Sequence, residues 1–169
     1  KVEILASRRL INGVSDTAYN PEGNITRAEF AAMLVRSLYG KLSKSKGTFA
    51  DVAAGSWYAD SVETAYELGL VTGISENSFG PDVKINREQL AVMAYRLYQY
   101  KKNTGTVNSF NNTYADYKDI SSYAKVAAGF AAKAGIMTGS GGRFEPRRSA
   151  TRQEAAVVLY RLLEYMGEL

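Results

Sequence analysis

The chain contains neither cysteine nor histidine among its 169 residues. Without cysteine there can be no disulfides, thiolate nucleophiles or thiolate metal sites. Without histidine, the commonest general acid–base catalyst and another main zinc ligand are also missing. No apolar run approaches the roughly 20 residues that a membrane-spanning helix needs, and no signal peptide is evident. These absences exclude most familiar enzyme designs, and we expect a folded protein that is not an enzyme and needs no cofactor.

A threefold repeat organises what is present. Three short segments match one another: Thr26–Phe30, Asn86–Leu90 and Thr151–Ala155. A lead-in precedes each of them and runs from a glycine through an aromatic residue to a proline. A period of about 60 residues indicates structural units that depend on their neighbours. The sequence predicts three copies, at residues 1–42, 43–102 and 103–169, of which the first is expected to be incomplete at its N-terminus.

Each copy is predicted to be a helix, a loop and a second helix, which makes the fold all-α. The second helices have apolar residues at the spacing of an amphipathic helix with one buried stripe. Two of the shorter first helices end at Gly69 and Gly135, which are plausible helix caps. Units of this size are marginal alone, so we expect one shared core. The polar linkers at residues 41–48 and 101–113 are predicted to be exposed.

The matched segments begin with a helix-capping signature. Thr26 followed by Glu29 fits a capping box, and Asn86 with Gln89 keeps the same function. The arginine between them is unexpected, because a cation in the first turn of a helix is slightly unfavourable. Two readings stay open at this point. Either the arginine packs on the proline loop and pairs locally, or it joins free backbone N–H groups in an anion site.

The pattern resembles the S-layer homology family. The residues that carry the resemblance are Phe49, Asp51, Val52, Trp57, Gly69–Gly73, Phe79, Pro81 and Thr26–Glu29. The resemblance implies three tandem modules packed as a pseudo-threefold helical spindle. It also implies anchoring of an S-layer protein or another secreted protein to the Gram-positive cell wall. The expected ligand is an acidic secondary cell-wall polysaccharide, often ending in pyruvate-ketal-modified N-acetylmannosamine, and the cargo is fused in cis or is an S-layer neighbour.

The resemblance also suggests ligand-binding residues. The arginines would contact the acid, the glycines of the lead-ins would line the groove, and residues of a leading segment would form its far wall. The leading segment precedes the first helix in the second and third copies. The expected residues are Arg27, Arg87, Arg152, Gly13, Gly73, Gly139, Asp51, Trp57, Asp119 and Tyr123.

How these residues combine depends on where each groove lies. If grooves form between neighbouring copies, Trp57 completes the site of Arg27, and the site of Arg152 is the defective one. If they form within single copies, Trp57 belongs with Arg87. We expect the first arrangement. In either case, replacing Arg27 or Arg87 by alanine should weaken binding and leave stability nearly unchanged.

Two other functions remain open. The 12 tyrosines suit a protein–protein assembly module of surface-layer proteins, since exposed tyrosine often marks binding surfaces. Nucleic-acid binding is the weaker alternative, because the net charge is only +4 and no basic stripe is evident. We therefore expect no nucleic-acid partner and no insertion into a membrane.

Overall fold

The computed structural model of the chain describes residues 1–13, 18–105, 110 and 114–169. These residues form an all-α fold, as the sequence predicts, and contain no extended strand. Two single-turn 3₁₀ helices, Tyr117–Asp119 and Ser122–Ala124, precede the fifth helix. The α-helices of the described part are α1 (Val2–Ser7), α2 (Arg27–Arg36), α3 (Ala59–Glu67), α4 (Arg87–Lys102), α5 (Lys125–Lys133) and α6 (Arg152–Met166).

The three longer helices, α2, α4 and α6, all begin with a complete capping box, which confirms the prediction. In α2 the hydroxyl of Thr26 accepts a hydrogen bond from Glu29 N–H (3.1 Å), and the Glu29 carboxylate accepts one from Thr26 N–H (2.8 Å). Asn86 with Gln89 and Thr151 with Glu154 make the same pair of bonds. The change from threonine and glutamate to asparagine and glutamine therefore leaves the cap intact.

The shorter helices end in the same left-handed turn. Gly69 and Gly135 follow α3 and α5 with φ of 69° and 67°, as expected for a glycine that closes a helix. The corresponding residue after α1 is Arg9, whose φ is 58°. A residue with a side chain is strained in this conformation.

The copies are interlocked rather than packed side by side. Helix α2 packs against α3, α4 against α5, and α6 against α1, so each longer helix lies on the shorter helix of the following copy. The last pair closes the circle. Since the apolar faces of the longer helices are buried in this way, the three copies share one core.

The segments just before the longer helices close a ring of backbone hydrogen bonds. Ile85 N–H donates to the carbonyl of Ile25 (3.1 Å), Ile25 N–H to that of Ala150 (3.0 Å), and Ala150 N–H to that of Ile85 (2.9 Å). All three residues are fully buried or nearly so. Each copy therefore satisfies polar groups of its neighbour in the centre of the molecule, where water cannot replace them.

The aromatic-X-Pro segments differ from expectation. We expected a short extended piece, but the middle residues Asn20, Gly80 and Glu145 have φ of 52°, 70° and 58°. This left-handed turn aims two successive N–H groups at one carboxylate in the second and third copies. Asp51 accepts from Phe79 and Gly80 N–H at 2.8 and 2.7 Å.

The first linker is exposed but attached. Backbone N–H groups of Ser43 and Ser45 donate to Thr64 and Asp60 on α3, and Lys44 pairs with Asp60 at 2.7 Å. Much of the second predicted linker lies outside the described residues, and its first two positions belong to α4.

The strained turn after α1 gives a test of this fold. We expect Arg9→Gly to raise the free energy of unfolding by about 1 kcal/mol, because glycine relieves the left-handed strain. The reverse change at the matching turn, Gly69→Arg, should lower it by a similar amount, since space is open around Gly69 and only its backbone resists. Urea denaturation of both variants measures the effect, and a loss of stability in Arg9→Gly would contradict it.

Candidate ligand-binding grooves

The three arginines of the matched segments reach into the next copy. Each donates from Nε to the carbonyl of the aromatic residue in the neighbouring lead-in: Arg27 to Phe79 (2.8 Å), Arg87 to Phe144 (2.7 Å) and Arg152 to Tyr19 (2.9 Å). Each guanidinium also lies over that aromatic ring, with its central carbon 4.7 to 5.4 Å from the ring centre. The arginines are 7 to 8% exposed. They join neighbouring copies. This is close to the first of the two interpretations from the sequence, in which the arginine packs on the proline loop and pairs locally.

The second reading required free N–H groups at the helix start, and this part of it is wrong. Arg27 and Ala28 N–H donate to the carbonyls of Val83 (2.9 Å) and Pro81 (3.1 Å) in the next copy. The third N–H is taken by the capping residue Thr26. The starts of α4 and α6 are satisfied in the same way. The guanidinium and other side chains can therefore bind a ligand, but the backbone N–H groups of this turn cannot.

A groove nevertheless lies beside each arginine. We name each groove by its arginine. The Arg27 groove, about 440 Å³, contains Gly73; the Arg87 groove, about 380 Å³, contains Gly139; and the Arg152 groove, about 130 Å³, contains Gly13. The predicted arginines and glycines thus come together in pairs, each from two successive copies. That these residues contact a ligand stays a prediction.

Two of the glycines are explained by the packing of the turn itself. A Cβ on Gly73 would lie 2.3 Å from the carbonyl oxygen of Ser75 and 2.8 Å from the ring of Phe49. One on Gly139 would lie 2.4 Å from the carbonyl oxygen of Arg143. Glycine is needed here to let the lead-in fold back on itself.

A second arginine enters each groove, and our sequence reasoning missed it. Arg96 lines the Arg27 groove, Arg161 the Arg87 groove and Arg36 the Arg152 groove. Each follows the first arginine of its own copy by nine residues, a recurrence that is visible in the sequence.

The paired positive charges affect one another in the Arg27 groove. Burial lowers the pKa of Arg27 and the charge of Arg96 lowers it further, and burial alone lowers the pKa of Arg96. Both guanidinium groups nevertheless stay charged, because arginine begins from so high a pKa. Two partly desolvated cations side by side favour an anionic partner.

The aromatic residues of the leading segments complete two grooves, but not in the combination expected. Trp57 lines the Arg152 groove, and Tyr123 lines the Arg27 groove. Both predicted partners of Trp57, Arg27 and Arg87, are therefore wrong. The reason is the closed ring, which gives each groove residues from three copies rather than two. The Arg152 groove was expected to be the defective one. It is instead the Arg87 groove that has neither Trp57 nor Tyr123 in its lining.

Tyr123 is fixed in place by a buried carboxylate that the sequence analysis overlooked. Glu88 is completely buried and accepts hydrogen bonds from the hydroxyl of Tyr123 (3.1 Å), from Ser121 N–H (3.0 Å) and from Arg147 (2.7 Å). Burial raises the pKa of Tyr123, and the charge of Glu88 adds to the effect. The phenol on the wall of the Arg27 groove therefore remains neutral, and its one O–H is donated to Glu88.

Neither of the two aspartates predicted as groove walls, Asp51 and Asp119, lines one of the three grooves. The carboxylate of Asp51 is occupied by the lead-in turn; burial raises its pKa, but hydrogen bonds from Ser78, Phe79 and Gly80 outweigh this and bring it below its ordinary value.

The equivalent residue in the third copy is Asp116, which accepts from Phe144 and Glu145 N–H (2.7 and 2.8 Å). Asp119 is instead an exposed residue 3.9 Å from Arg143. The expected register was wrong by three residues, because the ring that packs on Phe144 is that of Tyr114.

Comparison with known proteins identifies the family to which this chain belongs. The model of the S-layer homology domain matches residues 2–31, 48–91 and 113–156, more than half of the chain. The chain belongs to the S-layer homology family. This places it among modules of secreted, cell-wall-associated proteins.

Similar sequences occur in two kinds of protein. An amylopullulanase of Thermoanaerobacterium thermosulfurigenes is 40% identical over 99% of this chain and 9% of its own length. Exoglucanase XynX of Acetivibrio thermocellus is 40% identical over 99% of this chain and 16% of its own. S-layer protein sap of Bacillus anthracis is 28% identical over 92% and 19%. This S-layer homology chain thus spans less than a fifth of each of these relatives.

The described residues of this S-layer homology unit lack two further features. None of its helices there combines the length and apolar character required to span a bilayer. Within the same residues, no three acidic side chains gather closely enough to hold a metal ion.

The role of the first arginines as links between copies changes the expected effect of removing them. We expect Arg152→Ala to lower the free energy of unfolding by about 2 kcal/mol, because the carbonyls of Tyr19 and Asn12 lose their donor. The neighbouring change Gln153→Ala, at an exposed residue of the same turn, should cost no more than about 0.5 kcal/mol. Thermal and urea denaturation compare the two. Equal stability of Arg152→Ala and the unchanged chain would contradict the structural role.

Proposed function

We propose that this S-layer homology unit is a non-catalytic anchor that binds an acidic secondary polysaccharide of the Gram-positive cell wall. The observation that carries the proposal is that arginines from two successive copies line each groove: two in the Arg27 and Arg152 grooves, and three in the Arg87 groove, where Arg148 is the third. Guanidinium groups are suited to carboxylates, which they bind through directed, charge-assisted hydrogen bonds. A pyruvate ketal on N-acetylmannosamine supplies such a carboxylate on a sugar ring.

The remaining lining of the grooves suits a sugar. Trp57 is 61% exposed and Tyr123 58% exposed, so each offers an aromatic surface beside the arginines. Ligand sites commonly combine apolar surface with a few polar groups that fix orientation. The Arg152 and Arg27 grooves, which have these aromatic residues, are therefore the better candidates for a glycan.

The relatives also suggest, as part of this proposal, what kind of protein the unit holds at the cell surface. Those relatives include polysaccharide-degrading enzymes and S-layer proteins, and in each the matching region is a small part of a longer chain. We infer that the unit holds cargo of one of these kinds at the cell surface. Assembly with another protein is the competing function, favoured by exposed tyrosines such as Tyr39 and Tyr165.

Binding to purified cell walls separates these functions. We expect the chain to sediment with intact walls of a Gram-positive bacterium and to lose this binding after chemical removal of the polymer that is not peptidoglycan. Calorimetry with the isolated polymer should then show weaker binding once its acidic groups are removed. Equal binding to stripped and intact walls would overturn the proposal, and binding to an S-layer protein alone would favour assembly.

A second test uses an arginine that has no hydrogen-bond or ion-pair partner among the described residues. Arg96 makes no hydrogen bond or ion pair with another described residue, in contrast to Arg27. We expect Arg96→Gln to weaken binding of the acidic polymer by about 1.5–3 kcal/mol, the value of a hydrogen bond to a charged group. The free energy of unfolding should change by less than about 0.5 kcal/mol. Lys118→Gln, which removes the same charge from an exposed residue that lines none of the three grooves, is the control and should bind normally.

A further inference from the structure

The three grooves differ in one atom beside the first arginine. The third residue of each longer helix has two terminal side-chain atoms, of which one closes the helix cap. In Glu29 and Glu154 the other is a second carboxylate oxygen, which accepts a hydrogen bond from Nη1 of Arg152 (2.6 Å) and of Arg87 (2.9 Å). Arg152 is thus paired with a carboxylate of the protein itself, and so is Arg87, which shares Glu154 with Arg148.

The Arg27 groove has no such carboxylate. Gln89 stands at the third position of α4, and its oxygen accepts the capping hydrogen bond from Asn86 N–H (3.0 Å). The atom left over is the amide nitrogen, which can only donate a hydrogen bond. Within the described part of the chain, Arg27 donates to the carbonyls of Phe79 and Thr72 but forms no ion pair, and its Nη1 has no partner.

Among the described residues, the lining of the Arg27 groove therefore contains two cations and an amide donor but no carboxylate. Arg27, Gln89 and Arg96 line one cavity, and the Tyr123 hydroxyl beside them is already bonded to Glu88. Unmatched donors and two cations in a partly desolvated cavity are unfavourable until an anion fills them. In the other two grooves an acidic ligand must compete with Glu29 or Glu154 for the same guanidinium.

From this difference we propose that the Arg27 groove is the principal acid-binding site of the three, and that Gln89 determines this order. The ligand is the carboxylate of an acidic sugar, so the inference rests on the proposed function. Glutamine and glutamate are equivalent in the capping box. The exchange between them therefore leaves the helix start unchanged but alters the charge of the groove by one.

The test adds the missing carboxylate. Gln89→Glu should keep the cap, form an ion pair with Arg27 and weaken binding of an acidic sugar by about tenfold or more, the equivalent of one charge-assisted hydrogen bond. The probe is the methyl glycoside of pyruvate-ketal-modified N-acetylmannosamine, titrated by calorimetry. The control is Gln99→Glu, which adds the same charge to α4 at a residue that lines none of the three grooves, and should bind as the unchanged chain does.

A second measurement does not depend on the variant. In the unchanged ¹⁵N-labelled chain, the side-chain amide signals of Gln89 should shift on titration with the same probe, whereas those of Gln99 should not. Failure of the unchanged chain to bind the probe overturns the proposed function and this inference together. If the unchanged chain binds the probe but Gln89→Glu binds it equally well, the inference alone is overturned. The same holds if the probe binds without shifting the Gln89 signals.

Discussion

Each copy of this S-layer homology unit depends on its neighbour to satisfy the start of its longer helix. The first two N–H groups of α2, α4 and α6 donate to carbonyls of the adjoining copy, and the first arginine donates to another. An unpaired polar group at this depth is costly. The three copies therefore form one closed structure, in which none has a complete hydrogen-bond network alone.

The same closure creates the grooves. Because a guanidinium from one copy lies against the lead-in of the next, a cavity opens between the two. The leading segments of the second and third copies supply an aromatic wall to two of these cavities. Two cations then meet from different copies without help from the helix N-terminus. Fold and candidate site thus have a common cause, and a change in the first arginine is expected to affect both.

Local features of the structure were predictable, because neighbouring residues determine them. The capping boxes at Thr26 and Asn86 and the turns at Gly69 and Gly135 all formed as expected. The partners of Trp57 were not predictable, since they depend on how three copies close into a ring. The choice of Asp119 instead of Asp116 was avoidable, because the shift of 65 residues that relates Arg87 to Arg152 also relates Asp51 to Asp116.

Other features were present in the sequence but not recognised. The arginines nine residues after the first ones recur in every copy and could have been found by the comparison that revealed the repeat. The difference between Gln89 and Glu29 was noticed but explained only by capping. Its consequence for the groove requires knowing that the second side-chain atom faces an arginine of another copy.

Amide hydrogen exchange of the central ring tests most directly whether the copies form one cooperative unit. The N–H groups of Ile25, Ile85 and Ala150 bridge the three pairs of copies. If the ring is the common constraint, all three should exchange only through global unfolding and report the same free energy. Three clearly different values, each below the global free energy of unfolding, would show that the copies open separately and would contradict this account.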